Sequence, residues 1–235
     1  MSLGGGAFEA FAYDHRGTEA SFFVTEDAER GALRRFRSNE TWGPDVLHDE
    51  NGIVDFLEIL PGNEFRWNES LEVGRQSAFD YFQNSEGVVA GNGVLWFVSK
   101  KQKEVFRLDL DSKSYTVHST HTEVLPGGGS FDAQPDILVE DFDNGLLYFT
   151  EDGGKSPGIF VSSLNASSYS NDYVALLEAE PGAYLYDEIT GVAFSPDAMM
   201  GFFCLQEAGL FMKFRRLDGK PFTSRRLLGW KRAFR

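Results

Sequence analysis

One cysteine, Cys204, is all the thiol chemistry this 235-residue chain offers, so no intrachain disulfide can staple it. Cys204 stands in the apolar run GFFCLQE, a setting that suits a core thiol better than a nucleophile. Histidine is scarce as well: His15, His48, His118 and His121 are scattered. The two that come close together, His118 and His121, are three apart in a strand-like stretch and so point to opposite faces, which argues against zinc. No apolar run approaches the roughly eighteen residues that a membrane span requires. The opening MSLGGGAFEAF has no charged segment followed by a long apolar one, so no signal peptide is expected there. A nucleophile elbow of the G-x-S-x-G type is missing, and PGGGSF at Pro126 lacks the Lys-Ser/Thr of a phosphate loop.

Positive charge is the other shortage. The formal net charge is −14, which argues against nucleic acid as a partner and fits cation binding or plain solubility. Basic residues crowd the end of the chain, where Lys213, Arg215, Arg216, Lys220, Arg225, Arg226, Lys231, Arg232 and Arg235 face a single acid, Asp218. That stretch reads as a basic final strand pair on an acidic body, with an anion-binding tail as the alternative. Three N-x-S/T sequons, at Asn39, Asn68 and Asn165, give modest support to a secretory route.

What the chain has in plenty is aromatic residues and turns, with 22 Phe and 25 Gly, the composition of β-structure with many reversals. Four segments superimpose. They begin FEAFAYD at Phe8, EGVVAGN at Glu86, PDILVEDFD at Pro135 and TGVAFSPD at Thr190. A richer apolar run follows each: ASFFVTED, GVLWFVSK, LLYFTEDG and GFFCLQEAG. Third runs come next, GALRRFR, EVFRLDLD, GIFVSSLN and LFMKFRR, and fourth runs are proposed at SYTVHST, DYVALLEA and SRRLLGW. Short strands and turns repeating at about fifty residues describe β-propeller blades. The first interval is longer, roughly eighty residues, and leaves room for an extra blade or an excursion. It contains GIVDFLEIL and NEFRWNESL, read as a strand pair, and SLEVGRQSAFDYF, read as a short helix. The fold expected is therefore all-β, a propeller with about four blades in a single domain over residues 1–235.

In a propeller the first strand of each blade lines the central channel. Glu9, Glu86 and Asp136 hold those starts, with Glu188 just before the fourth. Carboxylates gathered there repel one another unless a cation or a proton intervenes, and Ca²⁺ takes six to eight oxygens with loose geometry. Glu9 and Glu86 sit in apolar frames and call for a metal or a positively charged partner. The repeated Thr-Glu-Asp, at Glu26-Asp27 and Glu151-Asp152, either caps turns or adds ligands. Arg16, in YDHRG, is either a surface turn residue or a fork for phosphate oxygens.

Taken in order, GGAFEAFAYDHR, FFVTED, FQNSEGV, LWFVSKKQKEVFRLDLDSKSY, FDAQPDIL, LYFTEDGG and TGVAFSPD resemble the PhoX-type alkaline phosphatase family, in a eukaryotic branch. The resemblance implies a propeller of about six blades and a calcium centre with iron on the axis. It also implies hydrolysis of phosphomonoesters, with a phosphorylated small molecule as substrate, outside the cytosol. Glu9, Glu86 and Asp136 match its acidic ligand positions; Glu26 and Asp27 match less closely. The family's upstream Cys- and Glu-bearing stretch, which supplies iron ligands, is not in this sequence, so the chain is expected to lack N-terminal blades. Two other classes remain open: a non-catalytic, calcium-stabilised binding propeller, and a lactonase-like hydrolase with an axial Asn, for which Asn84 is the nearest residue.

Overall fold

The computed structural model describes residues 6–14, 16, 20–40, 46, 49–121, 131, 133–141, 143–153, 157–165, 174–178 and 187–222. It divides into two compact units, residues 1–117 and 118–235.

In the first unit the aromatic alternation of the sequence becomes antiparallel strands. β1 (Phe8–Asp14), β2 (Ser21–Glu26), β3 (Arg34–Arg37) and β4 (Ile53–Leu60) lie side by side in chain order. A second set of four, β6 (Ser85–Gly91), β7 (Val94–Ser99), β8 (Glu104–Asp109) and β9 (Ser114–Ser119), repeats the meander. Asn92-Gly93 turns β6 into β7 with φ of 51° and 84°, the left-handed pair that a tight hairpin needs. The long first interval holds β4, the outer strand of the first set, and β5 (Glu64–Asn68), which hairpins with β4 and touches β9 at Glu64–Ser114. It also holds the helix α1 (Leu71–Tyr81), so the excursion is a strand pair and a helix rather than another blade.

Phe23, Leu57, Phe65, Phe82, Leu95, Phe97 and Phe106 fill this unit's core, with Phe97 and Phe106 stacked at 4.7 Å. Each such ring removed from water stabilises the fold by about 1.5–3 kcal/mol. α1 docks on β4 because Gly74 lets its backbone approach Phe56: a Cβ there would lie 2.4 Å from the Phe56 Cβ. Ser77 Oγ accepts the Ile59 N–H at 2.9 Å beside that contact.

The second unit repeats the pattern. β10 (Gln134–Asp141), β11 (Leu146–Asp152), β12 (Gly158–Ser163) and β13 (Val174–Glu178) form one sheet. β14 (Ile189–Phe194), β15 (Gly201–Leu205) and β16 (Leu210–Phe214) form another. Tyr148, Ile159 and Val161 pack against Ile189, Val192 and Phe203. SRRLLGW, expected as the outer strand of the last sheet, lies outside the described residues, as do Pro126–Ser130 of the PGGGSF stretch.

One irregularity recurs in every first strand. The ladder slips between Phe8 and Phe11 in β1, Ser85 and Val88 in β6, Pro135 and Leu138 in β10, and Thr190 and Val192 in β14. Four bulges at one place in four first strands fix the frame in which the acidic residues are compared.

Candidate metal centre

The bulges place Glu9, Glu86 and Asp136 at corresponding positions, and Thr190 holds that position in β14. A bulge frees a backbone N–H from the ladder, and that donor must find another acceptor. In β1 the Ala10 N–H donates to Thr25 Oγ1 at 3.1 Å, and in β10 the Ile137 N–H donates to Thr150 Oγ1 at 3.0 Å. The Thr of each Thr-Glu-Asp therefore holds the residue just after the acid. This is the local reason the triplet appears twice in matching frames.

The first unit brings two of the expected ligands together. A carboxylate oxygen of Glu9 and one of Glu86 lie within 4.8 Å of each other. Glu9 is exposed, whereas Glu86 is 1% exposed. Burial pushes the Glu86 carboxyl up to about 8, with Asp27 and Glu9 pushing the same way and Lys100 pulling it down. Lys100 Nζ sits 3.1 Å from Glu86 Oε1 and 3.7 Å from Asp27 Oδ2. Asn84 Nδ2 donates to Asp27 Oδ1 at 2.7 Å, with Asn84 itself at φ 52°. The first set of strands is tied to β6 at this end. Thr25 Oγ1 donates to the Glu86 carbonyl through a short bond, and the Glu26 N–H donates to Ser85 Oγ at 3.3 Å.

Glu26 turns elsewhere. Its Oε2 accepts from Arg34 Nη2 at 3.0 Å, and Arg34, 2% exposed, lies 4.7 Å from the Phe8 ring. Arg16 is also committed elsewhere. Its guanidinium binds Asp14 at 3.0 Å and Asp111 at 3.0 Å, over the Asn92-Gly93 turn. That is the far end of β1 from Glu9, roughly 20 Å along the strand.

In the second unit Asp136 is buried in β10. Glu151 is fully buried and its Oε1 accepts the Ala133 N–H at 3.0 Å, a backbone cap of the kind expected for this triplet. Glu188 precedes β14 and lies two residues before the bulge position, where its Oε2 accepts from Gln206 Nε2 at 3.0 Å.

No family model and no curated protein matches the chain. Solved structures do. The PhoX of Pseudomonas fluorescens, in complex with vanadate, a transition state analogue, superimposes with a TM-score of 0.67 at 15% identity. The match covers 94% of this chain and 55% of that one. The fold is a β-propeller. A chain from a nidogen/laminin complex matches at a TM-score of 0.51 and 14% identity, over 84% of this chain and 56% of its own. This chain thus spans about half the length of either solved relative. Among the described residues of this propeller, no helix is long and apolar enough to cross a membrane.

Chemically, Glu9, Glu86 and Asp27 are hard oxygen donors, the type that suits Ca²⁺ better than softer metals. A buried carboxylate held up near 8 has a strong incentive to take a partner. The residue that sequence reasoning missed is Lys100. The signal was present: in the frame where two blades read Thr-Glu-Asp, the second reads Val98-Ser99-Lys100, with a base in the place of the aspartate.

Proposed function

We propose that this propeller binds calcium and that Glu9, Glu86 and Asp136 supply its ligands. The observation that carries the reading is the equivalence of three first-strand bulges, each with a carboxylate at the same step. First strands line the central channel of a propeller, which supports reading the three acids as one ligand set. Thr25 and Thr150 hold the bulges that aim them.

The substrate class that fits is a phosphorylated small molecule, hydrolysed as a phosphomonoester outside the cytosol. Two things support it: the ordered motifs that resemble the PhoX-type family, and the fold match to a PhoX captured with vanadate. Calcium, when bound, would neutralise charge on the phosphate and polarise it for attack. Glu9, Glu86 and Asp136 would hold the ion, and Lys100 at the same end of the first unit would face the anion. Iron belongs to this reading only with ligands from outside this chain.

Arg16 favours a second reading. The one arginine expected to clamp phosphate is held by two aspartates at the far end of β1, which suits a calcium-stabilised binding propeller without catalysis. Calcium titration of the chain and of Glu86→Gln and Asp136→Asn, followed by p-nitrophenyl phosphate hydrolysis in calcium, separates the readings. Calcium binding lost in both variants, together with turnover, supports the phosphoesterase. Binding without turnover supports the second reading, and no binding defeats both.

A further inference from the structure

We propose that Lys100 is a built-in competitor for the cation, and that it keeps weakly bound, singly charged ions out of the site. The inference rests on the calcium reading above. Its own basis is the placement of one ammonium group. Lys100 Nζ lies 3.1 Å from Glu86 Oε1, an oxygen of the most buried carboxylate in the first unit's group, and also faces Asp27 at 3.7 Å. The position corresponds to Asp27 and Asp152 in the neighbouring frames, so the second blade carries a base where two others carry an acid. The Lys100 side chain is 22% exposed, so its tip has a way out to water along a flexible four-carbon stem.

A cation that takes the Glu86 oxygens must push this ammonium aside. Coulomb energy scales with the product of charges, and in a half-buried site the attraction at 3–4 Å is well above thermal energy. A sodium or potassium ion brings the same single charge that it displaces, and it pays for its own dehydration besides. It gains nothing. A calcium ion brings two charges to the same oxygens and more ligands per ion, so it can win the exchange. After displacement the ammonium stands beside a divalent ion that repels it, and it turns toward solvent at the rim of the site. Lys100 therefore weakens the binding of both kinds of ion, and only the divalent ion, bound more tightly to begin with, still occupies the site.

The test is calorimetric titration of calcium into the whole chain, wild type and with Lys100→Met and Lys100→Gln, in sodium chloride and in choline chloride at equal ionic strength. Melts in chelator establish that each variant folds. The expected result is calcium binding about tenfold tighter or more in both variants. A second mark is expected: sodium, but not choline, weakens calcium binding to the variants while leaving the wild type indifferent. A wild type that binds no calcium beside variants that do would support the competitor role equally. Folded variants whose calcium affinity is unchanged or weaker would overturn it, even where the wild type binds calcium and the calcium reading stands. If no form of the chain binds calcium, the calcium reading fails, and the competitor role with it.

Discussion

At the scale of single residues, the site is built from small polar groups that support large charged ones. Thr25 accepts the Ala10 N–H and donates to the Glu86 carbonyl, so one hydroxyl serves two first strands. Thr25→Val keeps the shape and leaves both partners unsatisfied, and urea unfolding should show a loss of about 1–3 kcal/mol. Glu86 gives a pH signature with a definite sign. Its carboxyl is raised from the ordinary 4.5 to about 8, so between those values the folded chain holds a proton that the unfolded chain has lost. Stability from this group is therefore complete below 4.5 and drains away as the pH rises through 8. Unfolding in chelator at pH 5.5 and pH 8 should show a decline that Glu86→Gln flattens; an equal decline in the variant would assign it to other groups. How legible these residues were depended on what marks them. Glu9 and Glu86 stood out because a carboxylate in an apolar frame demands a partner, and Asp136 because it begins a first strand. Lys100 did not, because a lysine at a strand end is ordinarily a solvated charge. Its correspondence to Asp27 appears only when the bulges align Ser99-Lys100 with Glu26-Asp27.

At the scale of elements, the strands were readable from alternation and turn residues, and the first, second and third runs fold as β1 to β3, β6 to β8, β10 to β12 and β14 to β16. The bulges were not readable, because a one-residue slip leaves no trace in composition, only in the pairing of Phe8 with Glu26 and Phe11 with Val24. The role of the long first interval was hidden for a related reason. GIVDFLEIL reads as a strand, yet nothing local says that it is the outer strand β4 or that α1 will dock on it. That docking makes a prediction. Gly74→Ala drives a Cβ against Phe56, and overpacking of this kind should cost about 1–3 kcal/mol in a denaturant melt, although alanine is the better helix former. Phe97→Ala, in the stacked pair with Phe106, should cost about 3–5 kcal/mol. Little change in either variant would mean that the first unit's core is not packed around these contacts.

At the scale of the whole molecule, repetition is what made the fold visible in the sequence. Three blades carry an acid at the bulge and the fourth carries Thr190, so the acid is not a feature of every blade. The formal charge of −14 makes such a chain repel itself, and a bound divalent ion relieves part of that strain. The measurement that tests the calcium account most directly is the metal content of the purified, dialysed chain by mass spectrometry, paired with thermal melts in calcium and in chelator. The account predicts stoichiometric calcium and a melting temperature that falls in chelator and recovers when calcium is restored. A chain that carries no metal and melts at the same temperature in both would contradict it.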